Sequence, residues 1–301
     1  MATAPTEKLD PSRLAAVSVF LLERNNEVAT GLRTMLRGVG MAGVKTFGNA
    51  DELEANLASS PPDVLILSES EDVDIFEITK KIRYSAVERN PFTVILLLML
   101  PNKPESITAA LKSGADSALV KPVASTQLVE QVAQLAFSRP AFIATTDYIG
   151  PERRSTARPS DIPLIQTINT LRYKLEQKTI APEALNKAIA SVTSQVWLSQ
   201  LISHGLKLKR SCDMLLAHQG EQRPPEAMKA SLLELVGALE EAAAISQQLN
   251  QVEFLKTCQE LAKEIKMLAD DPSGIDEKKI RKLALIPEAF EIARKRMTPR
   301  T

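Results

Sequence analysis

The chain has 301 residues, of which 44% are hydrophobic and 25% are charged, a composition typical of globular proteins and a length sufficient for two domains. Lysine plus arginine and aspartate plus glutamate balance at 37 each, which excludes a strong overall field for nucleic acid or an anionic membrane. Cys212 and Cys258 are too isolated for a disulfide framework or a metal site. We therefore expect a chain that works in a reducing cytoplasm.

The N-terminus and the apolar runs predict a chain that is neither secreted nor inserted in a membrane. Residues 1–13 lack the apolar core of a signal peptide. The longest apolar run, Val94 to Pro101, is far shorter than the roughly 20 residues that span a bilayer. We expect no membrane insertion.

Residues 14–137 alternate short β-rich runs with amphipathic segments of helical length, a pattern typical of an α/β fold with a parallel sheet covered on both faces. Apolar residues spaced three and four apart, as in Val28 and Leu32, predict the intervening helices. Asn49, followed three residues later by Glu52, predicts the start of one of them. Five strands of a doubly wound sheet are predicted at 15–22, 43–47, 63–68, 93–100 and 117–121.

Residues 138–161 break this pattern with three prolines, four arginines and several hydroxyl residues. Such a composition predicts a linker. We expect this linker to separate a domain at 14–137 from a domain at 162–301.

Residues 162–301 show helical periodicity and few glycines, which predicts an all-α helical bundle. Apolar stripes that include Leu235 and Leu239 in one segment and Cys258 and Ile265 in another must be buried against neighbouring helices. Helices are predicted at about 162–179, 183–217, 224–248, 251–269 and 276–297.

Four segments of residues 15–137 carry a resemblance to the response-regulator receiver domain. They are "VFLLERNNEVATGLRTMLRGVG", "PPDVLILSES", "VILLLML" and "ALKSGADSALVKPV", and the last is the most specific because "GAD" precedes "KP" by seven residues. The resemblance implies a five-stranded flavodoxin-like fold with its site at the carboxyl ends of the strands.

The resemblance also implies which residues would carry the chemistry. In receivers, two acidic residues after the first strand and an aspartate after the third hold Mg²⁺, and that aspartate accepts a phosphoryl group. By position, Glu23 matches the first acid, Arg24 the second and Ser68 the phosphoacceptor. A guanidinium in place of a carboxylate and a serine without a nearby base predict that metal binding and phosphorylation are both lost.

The residues that respond to phosphate in receivers are altered as well. Met99 occupies the position of a threonine or serine after the fourth strand, and Ala118 occupies the position of an aromatic residue on the fifth. Of this set only Lys121 is retained, either to form an internal ion pair with Glu23 or to turn the strand into the last helix. We interpret the domain as a pseudo-receiver with a degenerate phosphorylation pocket.

An acidic run follows Ser68. Glu69, Glu71, Asp72 and Asp74 alternate in a way that allows a weak cation site. The glycine and the terminal glutamate of an EF-hand loop are missing at the required spacing, which favours a solvated loop.

His204 and His218 are the chain's two histidines, so a phosphotransfer function would depend on one of them. Histidine phosphotransfer bundles carry an exposed histidine followed by a lysine and a glycine. The segment "SHGLKLKRS" places Lys207 three residues after His204 but has no glycine after that lysine. An ordinary helical histidine is favoured, with phosphotransfer through His204 kept as an alternative.

Two basic segments, 153–158 and 281–300, lack interleaved aromatic residues, so no nucleic-acid partner is expected. The segment "YIGPERR" at 148–154 resembles a short segment that follows receivers in bacterial proteins. We expect it to be a docking or hinge element between the two domains.

These observations predict a non-catalytic adaptor of a bacterial two-component or phosphorelay system. Its pseudo-receiver would act without phosphorylation, and its helical domain would bind a protein such as a histidine kinase or another signalling protein. Receivers commonly pair through their fourth helix, fifth strand and fifth helix, which predicts a homodimer through residues 104–137. No enzymatic activity, cofactor or metal is expected.

Overall fold

The computed structural model describes residues 11–84, 89–101, 103–153, 162–217, 225–270 and 277–296. The chain divides into two compact units. The first comprises the described residues within 1–143, 148–159 and 163–193, and the second those within 144–147, 160–162 and 194–301. The domain boundaries expected at 137 and 162 stay a prediction.

The first unit is built on a five-stranded parallel sheet. Its order is β2-β1-β3-β4-β5, the doubly wound order of the flavodoxin-like fold. The predicted α/β class and the five predicted strands are therefore confirmed. The strands are β1 (Ser18–Leu22), β2 (Gly43–Phe47), β3 (Val64–Ser68), β4 (Val94–Met99) and β5 (Ser117–Val120).

Among the described residues, six helices accompany these strands, and the central strands β1, β3 and β4 are buried on both faces. Successive side chains of a strand point to opposite faces, so Leu21 and Ile66 join one apolar core while Leu22 and Leu67 join the other. Asn49 caps its helix by accepting a hydrogen bond from the Glu52 amide, as predicted. The helices are α1 (Pro11–Leu14), α2 (Asn26–Gly38), α3 (Ala50–Ser59), α4 (Ile75–Arg83), α5 (Pro104–Ser113) and α6 (Ser125–Phe137).

The segment predicted as a linker contains regular structure in its described part. Strands β6 (Phe142–Ala144) and β7 (Ile149–Pro151) form a two-stranded sheet, and Phe142 also forms an isolated bridge to Ile165. The prediction of a helix over 162–179 is therefore wrong for most of that range. The helix there, α7, covers only Thr170–Leu175.

The second unit is helical, as the bundle prediction required. Its apolar core combines the predicted stripes of two helices with residues such as Leu201 and Phe290 from the other two. Among the described residues, no helix combines the length and the apolar character that a transmembrane segment requires. The helices are α8 (Pro182–Ala217), of which the unit includes the part from Ser194 onward, α9 (Pro225–Gln248), α10 (Val252–Asp270) and α11 (Glu277–Arg296).

Candidate functional site

Three of the predicted pocket residues meet at the carboxyl edge of the sheet. Glu23 follows β1, Ser68 ends β3 and Lys121 follows β5. Because parallel strands run in the same direction, their carboxyl ends share one edge, and these side chains lie together there. The sequence prediction of a common pocket agrees with this placement.

Ser68 is hydrogen-bonded to both of the other side chains. The Ser68 hydroxyl donates to Glu23 Oε2 at 2.5 Å and accepts from Lys121 Nζ at 2.9 Å. Lys121 Nζ lies 3.7 Å from Glu23 Oε2, so the alternative in which these two form an ion pair agrees with the structure. Glu23 Oε1 accepts from the Asn25 amide at 2.9 Å. Both oxygens of Glu23 and the Ser68 hydroxyl are therefore occupied by partners within the chain.

Ser68 is only 2% exposed and Glu23 only 5% exposed. A buried hydroxyl with two hydrogen-bond partners does not present an oxygen to a phosphodonor. Lys121 supplies the positive charge that offsets the buried Glu23 carboxylate, a task that a bound cation performs where several carboxylates cluster. Chemically, this pocket is a closed polar network at the end of the sheet.

Arg24, at the position of the second acid, lies outside this network and pairs with an exposed aspartate. Its Nη1 pairs with Asp72 Oδ2 at 2.5 Å, and the two side chains are 49% and 69% exposed. The ammonium of Lys121, and not this guanidinium, is thus the cation paired with Glu23. Arg24 instead ties the loop after β1 to the loop after β3.

Met99 and Ala118 contribute apolar atoms to the pocket's surroundings. Met99 ends β4 and is 5% exposed in the core between the sheet and helices α3, α4 and α5. Ala118 on β5 is partly buried against the same core. A thioether in the core and a methyl group supply neither the hydroxyl nor the aromatic ring found at the matching receiver positions.

Glu69 corrects the expectation of a fully solvated acidic loop. It is only 7% exposed, and its carboxylate accepts hydrogen bonds from the Leu100 amide at 2.8 Å and the Ser106 hydroxyl at 2.7 Å. Its backbone carbonyl accepts a hydrogen bond from Lys121 Nζ at 2.9 Å. The sequence signal that could have found this residue is its position directly after a buried strand, where side chains alternate between the two covered faces.

The other acidic residues of this run lie at the surface. Asp72 pairs with Arg24, and Asp74 caps α4 by accepting from the amides of Phe76 and Glu77. Glu71 is exposed. Within the described residues no cluster of three or more potential metal ligands occurs, because these carboxylates are spread over separate partners.

A second charged cluster lies at the other, amino edge of the sheet, and the sequence analysis did not predict it. Asp116, the aspartate of "GAD", accepts from Arg83 Nη2 at 2.8 Å and from Arg139 Nε at 2.7 Å. It also accepts from the Ile95 amide at 2.8 Å. Burial alone would raise the pKa of Asp116, but Arg139 and Arg83 outweigh it and hold the pKa below its ordinary value.

The segment after α6 completes this cluster. Arg139 comes from the range predicted as a linker, and both guanidiniums lie over the Phe142 ring, with their central carbons 5.1 Å (Arg83) and 4.8 Å (Arg139) from its centroid. Gly114 has φ of +87°, and a Cβ there would collide with the carbonyl oxygen of Ile149. The "GAD" glycine and the "YIGP" segment are thus packing partners within the first unit.

The described histidine, His204, is buried in the second unit. It is 1% exposed, and its Nδ1 has no hydrogen-bond partner among the described residues. Burial, with a smaller effect of Lys207, lowers its pKa to about 4, against a weaker raising effect of Asp147. A phosphotransfer histidine must be reachable by a partner protein, so this geometry does not support the alternative function. His218 lies outside the described residues.

No family model and no curated protein matches the chain. Among solved structures, the chemotaxis response regulator CheY4 of Vibrio cholerae is 24% identical, covers 39% of this chain and 97% of its own, and has a TM-score of 0.35. RcsB of Salmonella enterica, bound to a promoter with a phosphomimetic, is 24% identical over 39% of this chain and 67% of its own, with a TM-score of 0.35. The response regulator DrrB of Thermotoga maritima is 16% identical over 60% of this chain and 87% of its own, with a TM-score of 0.36.

These identities and TM-scores are low, so the fold assignment rests on the strand order and the parallel register described above. What the solved response regulators do is a property of those proteins.

Proposed function

We propose that residues 14–137 act as a pseudo-receiver that binds protein partners without being phosphorylated, and that the chain is a non-catalytic adaptor of cytoplasmic two-component signalling. The observation that carries the proposal is the closed hydrogen-bond network of Glu23, Ser68 and Lys121 at the carboxyl edge of the sheet. A scaffold that retains the receiver strand order but fills its own pocket is suited to recognition and not to phosphoryl transfer.

The test compares the wild-type chain with a variant in which the acidic set is restored. The double variant Arg24→Asp/Ser68→Asp places three carboxylates, with Glu23, at the ends of β1 and β3, which is the ligand type that Mg²⁺ prefers. We expect calorimetric titration to detect Mg²⁺ binding to the double variant and none to the wild type.

A small phosphodonor supplied with Mg²⁺ should leave the intact mass of the wild-type chain unchanged. A gain of one phosphoryl group on residues 14–137 of the wild type would overturn the proposal. The double variant controls for an inactive reagent if it gains the group under the same conditions.

The partner surface we propose lies on α5 and β5, within residues 104–137. Ile107 and Leu111 lie one turn apart on α5 and are 52% and 48% exposed, while Val120 on β5 is 49% exposed. Such neighbouring exposed apolar side chains favour association, and a second copy of this chain is the partner that we propose for this face. A small cavity of about 120 Å³ between Pro104, Ile107 and Val120 offers room for a side chain of that copy.

The solution mass of the full chain tests this dimer. Ile107→Glu should convert a dimer to a monomer, because it places a charge in an apolar contact. Val28→Glu is a matched control, since Val28 is a 41% exposed residue on α2 outside the proposed face. A wild-type monomer at high concentration, or dissociation by both variants alike, would contradict the proposed interface.

A further inference from the structure

The carboxylate of Glu69 joins two elements that the sheet itself does not connect. Its two oxygens accept from the Leu100 amide, just after β4, and from the Ser106 hydroxyl, in the first turn of α5. The Glu69 amide donates to the Leu98 carbonyl at 2.8 Å, which fixes the start of the loop after β3 beside the end of β4. The side chain therefore reaches from the end of β3 to the beginning of α5.

Helix α5 has no side-chain cap of its own. The residue at its N-cap is Lys103, which makes no capping hydrogen bond, and Pro104 follows it. A helix N-terminus carries partial positive charge and favours a negative group in its vicinity. Glu69, from another element, supplies that negative charge through Ser106 in the first turn.

Because both partners are buried, losing this contact would leave polar groups without a hydrogen-bond partner. Glu69 is 7% exposed and Ser106 is 4% exposed, so neither partner can turn to bulk water when the contact is lost. Lys121 Nζ bonds to both Ser68 Oγ and the Glu69 carbonyl, and so links the closed pocket to this contact. Hydrogen-bonded residues thus connect Glu23 to the start of α5, with Glu69 contributing its backbone carbonyl on one side and its carboxylate on the other.

We propose that Glu69 is a built-in anion that holds the loop after β4 and the start of α5 in one arrangement without any added anion. This positioning role rests on the proposed function, because it explains how a face on α5 stays fixed in a domain that is not phosphorylated. Ile107 and Leu111 lie on that helix, so Glu69 sets where the exposed apolar face is presented.

Anion rescue of a truncated side chain tests the proposal in the full chain. Glu69→Ala leaves the Leu100 amide and the Ser106 hydroxyl without an acceptor and opens space for a small carboxylate. We expect the thermal midpoint of the first unit to fall by about 5 °C. Sodium formate should restore part of that loss, whereas sodium chloride at equal ionic strength should not.

Glu71→Ala is the matched control, because Glu71 is an exposed glutamate two residues further along the same loop. It should leave the midpoint unchanged and respond equally to the two salts. Amide exchange provides the second readout: residues 103–113 should exchange faster in Glu69→Ala and slow again with formate, while residues 26–38 of α2 stay as in the wild type.

Two results would overturn the proposal: a Glu69→Ala chain as stable as Glu71→Ala, or a destabilised chain that formate restores no better than chloride. If Glu69→Ala does not fold, Glu69→Gln is measured in its place. We expect amide exchange, relative to the wild type, to accelerate more at residues 103–113 than at residues 26–38. An equal change in the two segments would contradict the proposal. None of these measurements uses a phosphodonor. A contrary result would therefore refute the role of Glu69, whereas phosphorylation of the wild type would refute the proposed function.

Discussion

The two edges of the sheet hold buried charged clusters of opposite composition. At the carboxyl edge, Glu23 and Glu69 are two buried carboxylates, and the ammonium of Lys121 lies 3.7 Å from the Glu23 carboxylate and donates to the Glu69 backbone carbonyl. At the amino edge, the single carboxylate of Asp116 lies between two guanidiniums, those of Arg83 and Arg139. Both clusters are satisfied within the chain, but only the first occupies the position of the receiver's reacting groups.

This difference shows that the segments resembling a receiver contain two kinds of residue: those that pack the sheet and those at the positions of the reacting groups. "GAD" is the most specific part of the resemblance, yet its aspartate is a fully buried partner of two arginines and belongs to the packing of the sheet. The altered positions Arg24 and Ser68 lie at the other edge. The residue that packs the sheet and the residues at the predicted reacting positions therefore belong to separate clusters.

The largest expected effect is at the amino edge. Asp116→Asn removes the carboxylate that pairs with the guanidiniums of Arg83 and Arg139, and loss of one member of a buried ion pair costs about 3–5 kcal/mol. Urea unfolding should show this loss for Asp116→Asn. Asp72→Asn is the control, because its ion pair is exposed and should contribute about 1 kcal/mol or less. Equal losses in the two variants would contradict the distinction between the clusters.

A pH series extends the comparison to His204, a buried histidine of the second unit whose Nδ1 has no hydrogen-bond partner among the described residues and lies 3.8 Å from the Glu241 carboxylate. His204 titrates at about 4 in the folded chain and near 6.5 when unfolded, so protonation favours unfolding. Its contribution to stability is present above pH 6.5 and fades as the pH falls toward 4, with about 3 kcal/mol at stake.

His204→Leu should flatten the unfolding free energy of the second unit between those two pH values. The readout is urea unfolding at each pH. His204→Leu that keeps the full wild-type slope would show that other groups cause the acid sensitivity.

At the carboxyl edge, Lys121→Met should cost about 1–3 kcal/mol of unfolding free energy, because it removes a charged hydrogen-bond donor from Ser68 and Glu69 and the cation beside Glu23. Lys81→Met is the control, since Lys81 forms an exposed pair with Glu54 at 3.4 Å. No difference between the two variants in denaturant unfolding would mean that the network around Lys121 adds nothing to stability.

The smallest effect is expected for Arg24→Ala, although Arg24 stands at a metal-ligand position of the receiver pattern. Its ion pair with Asp72 is exposed on both sides, so the unfolding free energy should change by about 0–1 kcal/mol. A loss as large as that of Lys121→Met would place Arg24 inside the pocket's network.

The fold was predictable because its signals are local. The alternating cores of β1 and β3, the cap at Asn49 and the stripes of α9 and α10 follow from side-chain periodicity. The pocket residues Glu23, Ser68 and Lys121 were predictable from their positions at strand ends in a resembling family.

The contacts of Glu69 and Arg139 were not predictable in the same way. The side-chain partners of Glu69 lie 31 to 37 residues away along the chain, and the partners of Arg139 lie 23 to 47 residues away. A local pattern can indicate that Glu69 is buried, but it cannot identify partners at such separations. Composition favoured a solvated loop around Glu69, whereas that side chain is buried, and it did not indicate that Arg139 packs against Asp116 at the amino edge of the sheet.

By itself, the sequence determined the parallel sheet and the helical second half, because side-chain periodicity is a property of each segment. Only the tertiary structure decided that the Ser68 hydroxyl bonds to both Glu23 and Lys121, with the ammonium of Lys121 paired to the Glu23 carboxylate. Three strand ends must first meet at one edge before such a network can form, and that meeting depends on how the whole chain packs.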